Sequence, residues 1–160
     1  VNLIIIFLLS SILIFILNFP LGRIFIGDSG SYLYAFYSGA LVIYLFSRNP
    51  NLPTLLALVI LAYPITEMLF SIIRKSIRKK SPMQPDTLHL HHLVFLQFSK
   101  TNKTANNLSS LLMLPFSISP FILCYISINN PHVDEEVIFL IYFLTYSFFY
   151  LLLRKKRFNF

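Results

Sequence analysis

Apolar side chains in this chain arrive in long unbroken runs, not at the spacing of a surface helix or the alternation of a half-buried strand. Runs of this kind are expected where the surroundings are apolar on most sides, as in a lipid bilayer. Five of them predict membrane-spanning helices, at residues 2–19, 31–47, 54–73, 105–128 and 137–153. A helix over the first is about 27 Å long, close to the ~30 Å of a hydrocarbon core. The connections are short and rich in Pro, Asn, Gly or charge, except for residues 74–104. No internal repeat or low-complexity tract interrupts the pattern, so residues 1–160 are expected to form a single all-α integral membrane domain. Pro64 is expected to free a carbonyl and kink the third span, and Pro115 and Pro120 to bend the fourth. Val1 falls directly in an apolar segment, with no initiator Met, basic stretch or small-residue cleavage site around it. The first run is therefore expected to be a span rather than a signal peptide, and the chain to be part of a longer one with more helices.

Composition agrees with the pattern. Hydrophobic residues make up 56% of the chain and charged residues 12%, against about 25% charged in an ordinary soluble domain. The net charge of +7 would suggest nucleic acid in a soluble protein, but the basic residues here sit between apolar runs, so no nucleic-acid partner is expected. They report topology instead. With alternating sides, every Lys and Arg except Arg48 falls on one side, in the connections 20–30 and 74–104 and after residue 153. The positive-inside rule makes that side cytoplasmic and leaves Asp134, Glu135 and Glu136 outside. Cys124, the single cysteine, lies in an apolar run and can form no intramolecular disulfide.

Three polar groups stand out, all in or beside the two cytoplasmic connections. The turn Arg23-Ile24-Phe25-Ile26-Gly27-Asp28-Ser29-Gly30-Ser31 offers Asp28 or Ser29 as a helix cap. Equally, its carboxylate beside flexible glycines can hold Mg²⁺ for a phosphorylated substrate. Glu67, in the third span after Tyr63-Pro64, is an ionisable group in hydrocarbon. Such a group costs ~2.5–3.5 kcal/mol and faces a bundle interior or an aqueous cavity. A structural ion pair or hydrogen bond is the plainer account; Arg74 shares its helical face but lies too far along the axis for easy contact. The third group is Lys79-Lys80-Ser81-Pro82-Met83-Gln84-Pro85-Asp86-Thr87-Leu88-His89-Leu90-His91-His92, which holds three of the four histidines. A helix starting near Asp86 would put Asp86, His89 and His92 on one face and favour phosphate there. Zinc is the weaker reading, since no Cys or further His completes a four-ligand site. Lipid-headgroup anchoring accounts for the lysines but not the histidines.

The order of these motifs resembles the polyprenyl-phosphate N-acetylhexosamine-1-phosphate transferases, the WecA and MraY group or glycosyltransferase family 4, over residues 18–93. The anchors are Gly22 through Ser31, Tyr63-Pro64-Ile65-Thr66-Glu67, the basic helix end, and Ser81-Pro82 through Pro85-Asp86 to His89-Leu90-His91-His92. The resemblance implies the C-terminal part of a multi-pass enzyme of the bacterial inner membrane, with its site and C-terminus cytoplasmic. Its reaction moves N-acetylhexosamine-1-phosphate from a UDP-sugar to undecaprenyl or another polyprenyl phosphate and releases UMP, initiating cell-envelope glycan synthesis. By matching position it implies Asp28 as Mg²⁺ ligand and catalytic residue, His89, His91 and His92 as catalytic, and Asp86, Glu67, Arg74 and Lys80 as substrate-binding. A homodimer is compatible with it. The histidine pattern is closer to the WecA branch, which points to UDP-N-acetylglucosamine or a related UDP-N-acetylhexosamine. Two departures stand out. Glu67 replaces the aspartate common in WecA-like sequences, and the family's early aspartate pair and Asn- and Asp-rich motif do not occur here, so the isolated chain is expected to be inactive.

Two other classes compete with this reading. A non-catalytic membrane relative would bind lipid phosphate or a partner without turnover. A small metal transporter would need Asp28, Glu67 and the histidines to line a path across the bilayer, whereas most of them map to one side.

Overall fold

The structure, a computed structural model, describes residues 2–20, 22–24, 26–79, 81, 88–99, 104–130 and 132–158. Its described residues form seven helices and no strand: α1 (Asn2–Asn18), α2 (Gly27–Arg48), α3 (Leu56–Ile60), α4 (Ala62–Ile77), α5 (Leu90–Ser99), α6 (Ala105–Asn129) and α7 (Glu135–Phe158). Within them α6 and residues Glu135–Lys155 of α7 are long and apolar enough to cross a membrane, and Ile4–Asn18 is a shorter apolar helix.

The apolar run at 54–73, expected as one span, is two helices. α3 ends at Ile60 and α4 begins at Ala62, with Leu61 between them at φ −97° and ψ 19°. Pro64 explains the position. It has no N–H to give to the carbonyl of Ile60, so the ladder loses a rung there, while a proline in the first turn of the new helix costs little. Backbone bonds from Leu61 to Ala57 and from Ile65 to Leu61 carry the chain across the break.

α6 keeps Pro115 and Pro120 inside one continuous helix. Pro120 leaves the carbonyl of Phe116 without its usual donor. The hydroxyl of Tyr142 on α7 donates to that carbonyl at 2.9 Å, so the missing bond is replaced by one that ties two helices together. At the far end of the pair the Ser127 hydroxyl donates to the Glu135 carboxylate at 2.7 Å.

The core lies among α4, α5, α6 and α7. Leu90, Leu93 and Val94 of α5 pack with Ala62, Met113 and the stripe Tyr142, Tyr146 and Tyr150 of α7. Those tyrosines recur every four residues and therefore share one face. Phe70 of α4 sits against two of them, its ring centroid 5.1 Å from that of Tyr146 and 4.9 Å from that of Tyr150. A smaller cluster of Leu56, Val59 and Ile138 holds α3 to α7. By contrast α2 buries no residue, and α1 leaves most of its apolar side chains exposed.

Candidate active site

Glu67 is the centre of the best-connected polar group. It projects from the buried face of α4, beside Thr66, Ser71 and Arg74, and is 8% exposed. One carboxylate oxygen lies 2.7 Å from Nδ1 of His89, and the other accepts the backbone N–H of Leu90 at 3.1 Å. The hydroxyls of Tyr63 and Tyr146 lie beside the same carboxylate. A carboxylate can only accept hydrogen bonds, so the short contact fixes the proton of His89 on Nδ1, and a neutral ring then presents a bare Nε2. Glu67 thereby orients the His89 ring. Its second bond, to the first residue of α5, anchors the start of the histidine-bearing helix to α4.

The three histidines are brought together, in a different way from a shared helical face. α5 begins at Leu90, so His89 precedes the helix while His91 and His92 stand in its first turn. The His89 and His91 rings stack at 5.6 Å between centroids, and the His91 and His92 rings are 4.4 Å apart. Burial first, and then the neighbouring His92, push the His91 imidazole below its ordinary pKa of 6.5. His91 and His92 line a cavity of about 450 Å³ with Phe95, Asn106, Ser110 and Met113.

Asp28 lies in the first turn of α2, where its charge complements the helix dipole. It is not the cap: the helix starts at Gly27, preceded by Ile26, and Ile26 makes no side-chain capping bond. Gly27, at φ 70°, takes the left-handed conformation that lets the chain turn into the helix one residue early. The Asp28 side chain is thereby left to a second cavity, of about 500 Å³, lined also by Gly22, Gly27, Ser31, Asn106 and Ser110. The cavities of Asp28 and of the histidines thus share Asn106 and Ser110 as a common wall.

Arg74 is placed elsewhere. It is 5% exposed, with its guanidinium 5.2 Å from the ring centroid of Tyr150, so it packs into the α4–α7 core rather than lining either cavity. Asp86 and Lys80, the other two expected substrate-binding residues, lie outside the described residues.

Curated relatives fix the kinship. The chain is 33% identical over 83 residues to the undecaprenyl-phosphate alpha-N-acetylglucosaminyl 1-phosphate transferase of Thermotoga maritima, a stretch covering 52% of this chain and 27% of that protein. It is 35% identical over 82 residues to the Haemophilus influenzae protein of the same name, covering 49% and 23% respectively. Against the decaprenyl-phosphate N-acetylglucosaminephosphotransferase of Mycolicibacterium smegmatis it is 32% identical over 100 residues, covering 55% and 24%. By sequence this chain is a relative of the polyprenyl-phosphate N-acetylglucosamine-1-phosphate transferases. The matched stretch spans about a quarter of the length of each of these transferases. No protein-family model and no solved structure matches the chain.

The residues around Asp28 suit a hard divalent cation in one binding mode only. Among the described residues no group of three or more His, Cys, Asp or Glu side chains could hold a metal, so no all-protein cage is present there. Mg²⁺ does not require one: it commonly binds through one or two carboxylates, with waters and substrate phosphates completing the shell. The Asp28 carboxylate in an open cavity beside Ser31 and Ser110 fits that mode.

Sequence reasoning gave no role to four residues that the structure places at the site: Asn106 and Ser110 on the shared wall, and, beside Glu67, Tyr146 and Tyr63, the latter named only within a motif. Signals existed for both pairs. Asn106 and Ser110 are polar residues four apart at the start of an apolar run, and Tyr146 belongs to a four-residue tyrosine repeat.

Proposed function

We propose that this chain forms part of the cytoplasmic-face active site of a UDP-N-acetylhexosamine:polyprenyl-phosphate sugar-1-phosphate transferase of the bacterial inner membrane. The observation that carries the reading is the meeting of the Asp28 cavity and the His91–His92 cavity along Asn106 and Ser110, in a chain whose curated relatives are named as polyprenyl-phosphate N-acetylglucosamine-1-phosphate transferases. In this reading the protein crosses the bilayer five times here, with α3 and α4 together making one broken crossing. The basic connections face the cytoplasm by the positive-inside rule.

The reaction is phosphoryl transfer. A phosphate oxygen of the polyprenyl phosphate forms a bond to the β-phosphorus of the UDP-sugar. The bond from that phosphorus to the oxygen bridging to the α-phosphate breaks, and UMP departs with the electron pair. Such chemistry demands mainly positioning and neutralisation of charge on the transferring oxygens. When bound, Mg²⁺ supplies part of that neutralisation, and Asp28 is the residue that would hold it. His91 and His92 offer ring nitrogens toward the donor's phosphates. Glu67 holds His89 and keeps α5 in register with α4, so His91 and His92 stay where the cavity needs them.

The test is transfer of radiolabelled N-acetylglucosamine-1-phosphate from its UDP-sugar to undecaprenyl phosphate, in membranes containing the natural gene product, with and without Mg²⁺. Metal-dependent labelling of lipid with stoichiometric UMP is the expected result. Absence of labelling with every UDP-N-acetylhexosamine overturns the reading and favours a relative that binds lipid phosphate without turnover.

A further inference from the structure

Two residues on α6 face the candidate site without belonging to any of the motifs that mark it. Asn106 and Ser110 lie one helical turn apart, at i and i+4, and so share a face. That face bounds the Asp28 cavity on one side and the His91–His92 cavity on the other. The turn after α1 closes tightly over it: a Cβ at Gly22 would come within 2.7 Å of Nδ2 of Asn106, and Gly22 stands at φ 61°, so the glycine allows the approach. The Ser110 hydroxyl donates to the backbone carbonyl of Asn106 at 2.9 Å, and its oxygen can still accept a hydrogen bond. The lining of the histidine cavity also includes the apolar side chains of Phe95 and Met113.

The chemistry of this wall differs from that of its two neighbours. Asp28 suits a cation and the imidazoles suit phosphate, whereas an amide and a hydroxyl are neutral groups that donate and accept. A neutral amide pairs best with neutral polar groups such as sugar hydroxyls or an acetamido group, and a nearby apolar patch accommodates a methyl. On the proposed transferase reading, we infer that Asn106 and Ser110 bind the hexosamine moiety of the donor, with Phe95 and Met113 receiving its N-acetyl methyl. They are specificity-determining residues: they select an N-acetylated sugar between the phosphate-binding groups at either side.

The experiment compares UDP-N-acetylglucosamine with UDP-glucose, which lacks the acetamido group, in membranes holding the natural gene product and its Asn106→Ala and Ser110→Ala variants. Sites that hydrogen-bond a substrate group reject analogues lacking it, and that discrimination disappears with the bonding partner. Loss of one neutral hydrogen bond corresponds to about a 3- to 10-fold rise in KM for UDP-N-acetylglucosamine. We expect that rise with kcat changed less than twofold, and a fall of similar size in the kcat/KM preference for UDP-N-acetylglucosamine over UDP-glucose. A purely structural role lowers both substrates' rates together and leaves the preference unchanged. Ser110→Ala removes a single oxygen and keeps α6 intact, so an unchanged preference in that variant together with Asn106→Ala overturns the inference while leaving the transferase reading standing. Failure of the wild type to use any UDP-sugar removes both.

Discussion

Replacing Glu67 by glutamine alters the site by a single exchange of oxygen for an NH₂ group, and the surrounding geometry dictates how that group must lie. The backbone N–H of Leu90 donates to one carboxylate oxygen at 3.1 Å and needs an acceptor, so the glutamine carbonyl has to take that position. The NH₂ then faces Nδ1 of His89, which stands 2.7 Å from the other oxygen. Two donors cannot face each other, so His89 moves its proton to Nε2 and Nδ1 becomes the acceptor. Both contacts survive as neutral hydrogen bonds, and the loss of charge assistance costs about 1 kcal/mol for each, roughly 2 kcal/mol of stability in all. Function suffers more, because Glu67 positions His89 and the start of α5 beside the cavity. Misplacing a positioned group by about 1 Å can cost on the order of 10²-fold in rate, and we expect kcat of Glu67→Gln to fall by about that factor with membrane insertion preserved. Sugar-1-phosphate transfer gives the rate, and ¹⁵N chemical shifts of selectively labelled histidine give the tautomer. Turnover within a few-fold of wild type in a variant whose His89 has changed tautomer would refute the positioning role of Glu67. An unchanged tautomer would refute the hydrogen-bond assignment itself.

Further outcomes follow from the same geometry. Asp28→Asn keeps the first-turn position but removes the charge, so transfer should fall by at least about 100-fold and respond only weakly to added Mg²⁺. Near-normal activity at ordinary Mg²⁺ would contradict the metal role. His92→Ala should raise KM for the UDP-sugar with little loss of folded protein, because His92 is an exposed cavity residue while Leu90, Leu93 and Val94 hold α5; loss of insertion would make the residue structural. Gly22→Ala sets a left-handed backbone and a 2.7 Å approach to Asn106 against it, so thermal stability in detergent should drop by about 1–2 kcal/mol. His91 is held below its ordinary pKa of 6.5 by burial and by His92, with His89 acting in the same direction and Glu67 against it. Protons therefore bind the unfolded chain more readily. This contribution to stability is intact above pH 6.5 and is lost as pH falls through the lowered value. A melting-temperature series should show a step on the acid side of pH 6.5 that His91→Asn removes.

The helical architecture was legible in the sequence because it is decided locally. Apolar runs the length of a bilayer can satisfy their backbone only within the helix, so α1, α6 and α7 follow directly from composition along the chain. The break before α4 was announced by Pro64, whose missing N–H acts wherever the helix sits. The importance of Glu67 and of the histidines was legible too, because ionisable groups are scarce and costly in such a chain. Their partners were not. Glu67 and Arg74 share a helical face, yet the first holds His89 and the second lies over Tyr150, and both partners come from elements distant in sequence. Periodicity put His89 and His92 on one face, but the position at which α5 starts sent His89 to Glu67 and His91 with His92 to the cavity. Asn106 and Ser110 carry no motif at all and become site residues only because α6 packs between the turn before α2 and the start of α5. Sequence pattern encodes what each segment does with its own backbone and with water or lipid. Which side chains meet depends on how helices far apart in the chain pack, and that is settled by the shape and volume of the whole core.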